Sequence, residues 1–393
     1  MNLSLFVFEA LFIALAVACE SHRAGSLVGR GEIHAKTLIK NVHIFDGTRF
    51  GEETSIIFER GVINNSSNPI GSEIVDGNGG YLIPGLIDAH AHITSCSYLS
   101  TMARYGITTV MDLGAFPYSS IEECRETLGN ADVYSSGVQG TVNGTSNSQI
   151  PGFPSESLLT TPASGRKFVA DRIDEGADYI KVILDPLGPT KDTAKSIVET
   201  AHDAGKLVVS HALYEAEYIL AEEIGIDILT HTPIDKPVGP NLIGRLVHRR
   251  IPVIPTLGII KALLNSSAYD EVAGSVATMY QAGVFIVAGT DSNDFPTAPH
   301  IPFGQLLHDE LELFVSAGLD PVDALRAATE NAALAFHFED RGRIQDGLRA
   351  DLVLLAADPT TDIKNSRLIE KVWIAGIETN NCSYGPGAAG LYS

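Results

Sequence analysis

The sequence predicts an α/β protein: a (β/α)8 TIM barrel joined to a small β-sandwich that is built from both termini. Three observations support this prediction. Apolar, strand-like segments alternate with helical stretches through the middle of the chain, short strands with tight turns precede that region, and a similar β-rich stretch follows it. The 393 residues are enough for one barrel-sized domain and a smaller unit.

The small β-sandwich is predicted over residues 31–80 and 338–380. The first range reads as hairpins, because alternating segments such as "TLIKNVHIFDG" and "ETSIIFERGVI" are punctuated by Asp-Gly and Arg-Gly. The second range contains "ADLVLLAADP" and "KVWIAGIE". Two β-rich pieces that flank a long middle region are best explained by one unit assembled from both ends.

The barrel is predicted over residues 81–337. Two of its helical stretches end at Gly205 and Gly225, where glycine acts as a helix stop. Eight strands alternating with helices over about 250 residues are typical of this fold. We place the strands at 81–90, 106–114, 132–140, 178–184, 205–212, 226–232, 251–257 and 284–291.

Charge and composition restrict the partners. The formal net charge of −21 argues against nucleic acid and against anionic membrane surfaces. Beyond that exclusion, an acidic excess of this kind indicates no more than solubility.

The N-terminal sequence predicts a secreted protein or one in the secretory pathway. Residues 1–18 form an apolar run that ends in Ala-Val-Ala before Cys19, as in a cleaved signal peptide. Cleavage would leave three cysteines, so at least one thiol would be free. The alternative is an apolar extension of a cytoplasmic protein. Glycosylation is predicted at the Asn-x-Ser/Thr sequons that begin at Asn64, Asn65, Asn143, Asn265 and Asn381.

Metal-competent side chains recur where the predicted barrel strands end. Chemistry in such barrels takes place at the C-terminal ends of the strands. Each side chain alone could be a satisfied core residue or a helix cap, but scattered residues would not keep this phase. Together they predict a metal site. In chain order they are His90, His92, Asp112, Lys181, His211, His231 and Asp291.

Lys181 stands out among these residues. It lies between Ile180 and Val182 in a predicted buried strand. Burying an ammonium group is costly unless the group is neutralised, paired or chemically altered.

These motifs together resemble the amidohydrolase superfamily of metal-dependent hydrolases. The matching segments are "PGLIDAHAH", "GADYIKV", "AHDAGKLVVSHA", "GIDILTHTPID", "AGTDS" and "GLDPVDALRAATENAALAF" with "GRIQDGLRADLVLL". The resemblance runs from about Val42 to Ile377. It is nearest to the branch of imidazolonepropionase-like proteins, prolidase-like dipeptidases and ochratoxinase.

The resemblance implies a site for two divalent ions. Zinc suits these ligands, and manganese or iron would also be tolerated. Lys181 corresponds to the lysine that members of this branch carboxylate with CO2, and its carbamate would bridge both ions. The first ion would be held by His90, His92 and Asp291, and the second by His211 and His231.

The implied reaction is hydrolysis of an amide-type C–N bond by a metal-bridging hydroxide. Asp291 would take the proton from the hydroxide and deliver it to the leaving amine. The substrate would be peptide-like, an N-acyl amino acid or a small natural product. Alternatives are a lactone hydrolase, a decarboxylase or another reaction on a secondary metabolite, and a catalytically silent binding protein. Because relatives often assemble, the resemblance leaves a homo-oligomer open.

The remaining candidates have simpler interpretations. Tyr214, three residues after His211, could contact the substrate or be a half-buried aromatic residue. We expect Asp112 to be structural, His308 to lie on the surface, and Cys96 to be buried filler rather than a nucleophile.

Overall fold

The structure is a computed structural model that describes residues 36–125, 127–295 and 299–379. The predicted signal peptide and the sequon at Asn381 lie outside these residues. In the part of the chain that is described, we find no helix with the length and apolar character needed to cross a membrane.

The described residues form strands and helices that alternate through the middle of the chain. The strands are β1 Lys36–Ile44, β2 Thr54–Glu59, β3 Val62–Ile63, β4 Glu73–Pro84, β5 Leu86–Ala91, β6 Ile107–Asp112, β7 Asp132–Ser135, β8 Ile180–Ile183, β9 Val208–His211, β10 Ile228–Thr230, β11 Val253–Ile254, β12 Leu352–Leu355, β13 Ile369–Ile374 and β14 Ile377–Glu378. The helices are α1 Cys96–Arg104, α2 Ser119–Arg125, α3 Pro162–Asp174, α4 Lys191–Asp203, α5 Glu215–Ile224, α6 Pro240–Arg249, α7 Leu257–Leu263, α8 Ser266–Gln281, α9 Gln305–Ser316, α10 Pro321–Ala327 and α11 Glu330–Ala335.

Strands from both ends of the sequence meet in one seven-stranded sheet. Its order is β14–β13–β12–β4–β1–β2–β3. The central strand β4 pairs in parallel with β1 and antiparallel with β12, so that Leu82 lies opposite both Ile44 and Leu354. The predicted sandwich of two sheets is not confirmed, because these strands form a single sheet. The domain boundaries stay a prediction, and the one at residue 81 falls within β4.

Successive side chains of β12 alternate between two hydrophobic cores, and this explains why the sheet needs no second layer of strands. Leu352 and Leu354 pack with Trp373 in a core of the sheet's own, whereas Val353 and Leu355 belong to the large core of the rest of the molecule. Successive side chains of a strand point to opposite faces. One face of the sheet is thus filled by its own strands, and the other is covered by the helical region.

The middle strands form two parallel sheets rather than one continuous barrel. β5–β6–β7 make one sheet and β8–β9–β10–β11 the other. Isolated parallel bridges connect Gly140 to Val182, Val253 to Ile286, and Ala91 to Ser292.

The prediction of a regular eighth strand at 284–291 is wrong, because the strand pairing of this segment is limited to one isolated bridge, between Ile286 and Val253. It approaches β5 closely, since Ala89 N donates to Ala288 O at 3.0 Å. It then turns at Asp291, whose φ of 59° is incompatible with a strand.

A disulfide joins the first two helices that follow the barrel strands. Cys96 and Cys124 are bonded, with their Cα atoms 5.1 Å apart. The interpretation of Cys96 as buried filler is therefore wrong, since it is one half of a cross-link between α1 and α2.

Candidate metal centre

His90, His92 and Asp291 converge on a single point at the end of β5. Nε2 of His90 lies 3.2 Å from Oδ1 of Asp291, and Nε2 of His92 lies 2.9 Å from the same oxygen. His90 and His92 are separated by one residue, so the strand directs both imidazoles to one face. The carboxylate of Asp291 comes from a much later part of the sequence, the 284–291 segment, which packs beside β5.

Backbone contacts hold Asp291 against β5. The Asp291 N–H donates to the carbonyl of His90 at 2.7 Å. One residue earlier, Thr290 donates its N–H at 3.0 Å and its hydroxyl at 2.7 Å to the buried carboxyl group of Asp88. Burial raises the pKa of Asp88 to about 7. Asp88 therefore links the histidine strand to the segment that carries Asp291.

His231 and His211 complete the group from the neighbouring strands β10 and β9. Their ring centroids are 4.4 Å apart, and the His231 ring lies 5.0 Å from that of His90. The parallel register places His211 level with Thr230, directly before His231. These strand ends thus bring all four predicted histidine ligands together.

A threonine fixes the tautomer of His231. Nδ1 of His231 lies 2.8 Å from the Thr256 hydroxyl, which itself donates to the carbonyl of Pro255 at 2.8 Å. Because the hydroxyl has one proton, it must accept from Nδ1–H of His231. The Nε2 lone pair of His231 then remains for a metal, which is the arrangement in which a neighbouring group orients a metal-binding histidine.

Lys181 is buried next to this group. Its Nζ donates to the hydroxyl of Thr230 at 2.8 Å, and its side chain is 2% exposed. Burial lowers the pKa of Lys181 to about 7, although the charge of Asp291 works in the opposite direction. A large fraction of the amine is therefore neutral at physiological pH.

The surroundings set the other groups in the protonation states that metal ligands need. Burial lowers the pKa of His90 to about 4 and that of His211 to about 3, and it holds the pKa of His231 well below its usual value. Burial alone would raise the pKa of Asp291, but the adjacent histidines, His90 foremost, hold it well below normal. Near neutral pH the site therefore offers neutral imidazoles and an ionised carboxylate.

The spacing of these atoms fits a divalent ion. Within the described residues, His90, His231 and Asp291 offer ligand atoms that all lie within 4.8 Å of one another. Bonds of about 2.0–2.1 Å at a tetrahedral angle place neighbouring zinc ligands roughly 3.3 Å apart. The distances from Asp291 Oδ1 to the two imidazoles, 3.2 and 2.9 Å, are close to this separation.

The remaining sequence candidates are Tyr214, Asp112 and His308. Tyr214 precedes α5 and is 36% exposed. Asp112 accepts the backbone N–H groups of Ile93 at 2.8 Å and Ala115 at 3.0 Å, a structural role as expected. The expectation that His308 lies on the surface is wrong: it is fully buried and bonds the hydroxyl of Ser366 at 2.9 Å.

Sequence reasoning missed the residues that support the ligands. Thr230, Thr256 and Asp88 each contact a predicted ligand or its neighbour, yet only the position of Thr230 beside His231 gave a local signal. Gln139 was also missed. It is fully buried at the end of the segment that follows β7, and neither atom of its side-chain amide has a hydrogen-bond partner among the described residues.

Comparisons with known proteins agree with this geometry. The chain is 26% identical over 324 residues to an uncharacterised protein of Mycobacterium tuberculosis. This alignment covers 75% of this chain and 84% of that protein. The chain spans about half the length of the adenine deaminases that it also matches.

Solved structures show the same fold. The chain is similar to an Xaa-Pro dipeptidase with bound methionine, with a TM-score of 0.77, 20% identity and coverage of 87% of this chain and 99% of that one. It is also similar to the A. niger ochratoxinase, with a TM-score of 0.72, 20% identity and coverage of 87% and 94%. These likenesses confirm the TIM-barrel class.

A family model described as the amidohydrolase family matches residues 81–378, well over half of the chain. The resemblance that the sequence motifs suggested is thereby confirmed. The chain belongs to the amidohydrolase family, the metal-dependent hydrolases of carbon–nitrogen bonds.

Proposed function

We propose that this protein is a binuclear metal hydrolase that cleaves an amide-type C–N bond in a peptide-like or small natural-product substrate. The observation that carries the proposal is the convergence of the His90 and His92 imidazoles on one oxygen of Asp291, with His231 close by. His90, His92 and Asp291 would hold one ion, and His211 and His231 the other.

Lys181 would complete the site as a carbamate. A neutral amine is the form that reacts with CO2, and burial supplies it by lowering the pKa of Lys181 to about 7. Thr230, which now accepts a hydrogen bond from Nζ, would then orient the modified side chain. The carbamate would also supply the negative charge that a pair of cations needs beside the histidine ligands, because a histidine that binds a metal carries no charge.

Two bound divalent ions would supply a nucleophilic water near neutral pH and polarise the substrate carbonyl. Asp291 is the base of the reaction in this proposal. Its carboxylate is ionised at neutral pH, so it can take a proton from the attacking water and return it to the leaving amine. The hydrogen bond between Thr290 and Asp88, together with that from Asp291 N–H to the His90 carbonyl, holds the backbone that carries this carboxylate.

Metal analysis and substrate profiling test the proposal. We expect about two ions per chain in purified protein and a clear loss in Lys181→Ala, with Lys206→Ala as the control, because that lysine bonds a backbone carbonyl elsewhere. Hydrolysis of amides, with lactones as the alternative substrates, should disappear in the first variant alone. If protein purified with an ample supply of divalent metal holds no ion, the proposal is overturned. If Lys181→Ala and Lys206→Ala hold the same amount of metal per chain, Lys181 does not take part in binding the ions.

We also propose that the protein is secreted or resides in the secretory pathway. The Cys96–Cys124 disulfide supports this location, since structural disulfides persist in oxidising compartments. Asn143 and Asn265, two of the predicted glycosylation sites, are exposed. When the chain is expressed in a eukaryotic secretory host, we expect the protein to appear in the culture medium and to lose mass on treatment with a glycosidase. Retention of all protein in the cytosol would contradict the proposal.

A further inference from the structure

A cavity of about 310 Å³ opens directly beside His92. Its walls come from the residues after β5 and β6, from the loop near Ile150, and from Asp294 and Phe295, which follow Asp291. A group held in this cavity would lie next to the candidate metal centre. The cavity is therefore placed to hold one side of the bond that is broken there.

The walls of this cavity are mainly apolar. The Phe295 ring lies 5.3 Å from the His92 ring, and Phe116 is fixed by an edge contact with Phe153 at 5.7 Å. The volume lies at the low end of the range of about 300–1,000 Å³ that is usual for small-molecule pockets. The cavity suits one ring rather than a long peptide. The apolar side chains that line it are Ile93, Ala115, Phe116, Pro117, Ile150, Pro151 and Phe295.

Charge adds a second constraint. Asp294 lines the cavity, and each of its carboxylate oxygens accepts a hydrogen bond, from the Thr94 hydroxyl at 2.8 Å and from the Tyr98 hydroxyl at 2.7 Å. None of the described residues that line the cavity is a lysine or an arginine. A ligand carboxylate beside Asp294 would meet a negative charge that no lysine or arginine of this lining offsets.

We propose that this cavity selects an uncharged, apolar group of about the size of a phenyl ring on one side of the scissile bond, and excludes a group that bears a free carboxylate. The inference rests on the proposed function, because it takes His92 as part of a metal centre. It narrows the substrate class to amides whose group at this position is neutral and aromatic or bulky aliphatic. The largely apolar lining favours a neutral ring over an ammonium group, because the cost of desolvating that group offsets its attraction to Asp294.

Titration calorimetry with hydroxamates tests the inference on zinc-loaded protein. Acetohydroxamate probes the metal alone, phenylacetohydroxamate adds the ring, and its 4-carboxy and 4-aminomethyl derivatives add a negative or a positive charge. We expect the ring to tighten binding at least about tenfold over acetohydroxamate, through burial of apolar area. We expect the 4-carboxy derivative to bind at least about tenfold more weakly than the phenyl compound, through repulsion by Asp294.

A charge-neutralising variant isolates the role of Asp294. Asp294→Asn should strengthen binding of the 4-carboxy derivative about tenfold, while binding of the phenyl compound changes by less than about twofold. Asp346→Asn is the matched control, because it removes the same charge from a carboxylate that bonds the backbone of Asn65 and does not line the cavity.

The outcomes separate this inference from the proposed function. If acetohydroxamate binds but the ring adds nothing, or the 4-carboxy derivative binds as well as the phenyl compound, the inference is overturned and the metal function stands. Tightest binding of the 4-aminomethyl derivative would overturn it in favour of a cation pocket. If no hydroxamate binds zinc-loaded protein, the proposed function fails and the inference fails with it.

Discussion

His231 and Thr256 are joined by a 2.8 Å hydrogen bond, and both have backbone in the left-handed region, with φ of 71° and 52°. Residues other than glycine rarely adopt this conformation, and in a threonine it is costly. Two such residues in contact indicate that the surrounding structure holds the imidazole in place. The His231 carbonyl also accepts a hydrogen bond from the buried hydroxyl of Tyr218.

Removing the Thr256 hydroxyl should weaken metal binding. In Thr256→Ala, Nδ1–H of His231 loses its acceptor, so the imidazole can rotate or change tautomer. We expect the metal affinity to fall about 10–100-fold, the usual cost of losing such a partner. Competition with a chromophoric chelator measures this change. Thr256→Ser keeps the hydroxyl and should stay near the parent value; equal losses in both variants would show that the methyl group, and not the hydrogen bond, is responsible.

Asp291→Asn should separate turnover from metal binding. The amide keeps an oxygen near His90 and His92 but cannot accept the proton of the attacking water. We expect kcat to fall about 10²–10⁴-fold, the usual contribution of a general base. Metal content, measured on the same samples, should fall much less. A parallel loss of kcat and metal would mean that Asp291 acts only as a ligand.

Gly289→Ala should displace the backbone of His90 and so disturb the candidate metal centre. A Cβ at this position would lie 2.8 Å from the backbone nitrogen of His90, 2.9 Å from its Cβ and 2.6 Å from Cγ2 of Ile254. Backbone atoms cannot move aside easily, so we expect a loss of about 1–3 kcal/mol in the free energy of unfolding, with reduced metal content. Denaturant titration measures the first quantity.

Gly244→Ala is the matched control for this substitution. Gly244 lies in α6 with nothing within 4 Å of the added carbon, so alanine there should be neutral or stabilising by up to about 1 kcal/mol. A Gly289→Ala protein as stable and metal-rich as this control would contradict the close approach of the 284–291 segment to β5.

His308 should make the fold sensitive to acid. Burial, with a smaller effect from Arg367, lowers the pKa of His308 to about 3, below its ordinary value of 6.5. Its stabilising contribution is therefore complete above pH 6.5 and is lost as the pH falls toward 3. The loss amounts to roughly 3–5 kcal/mol.

Unfolding of metal-free protein between pH 7 and pH 4 measures this dependence without metal release. His308→Gln, which can still bond Ser366 and the carbonyl of Tyr105, should make the curve shallower. The buried histidines of the metal centre, such as His90 and His211, keep part of the pH dependence in this variant. Substitution of the exposed His248 by Gln should leave the slope as in the parent. Identical slopes in all three proteins would refute the role of His308.

Local patterns were enough to single out the side chains that converge at the candidate metal centre and to predict most of the strands. His90 and His92 follow an apolar run and lie two positions apart, which places both side chains on one face of a strand. Lys181 stood out because its neighbours in the sequence are apolar. Spacing could not identify what depends on distant parts of the chain. His308 is buried because Ser366, 58 residues away, packs on it. Thr256 gave no signal, because its role depends on a backbone angle and on a neighbour 25 residues earlier.

Pairing of β4 with β12 has a consequence for how the chain is made. Tyr81 lies opposite Leu355, so one edge of β4 stays open until nearly the whole barrel region has left the ribosome. At about 5–20 residues per second, that interval is roughly tens of seconds. Open strand edges are templates for aggregation, and contacts of such long range form slowly. Completion of the small sheet is therefore expected to be a late folding event, and β4 is a segment of the nascent chain whose open edge needs protection until then.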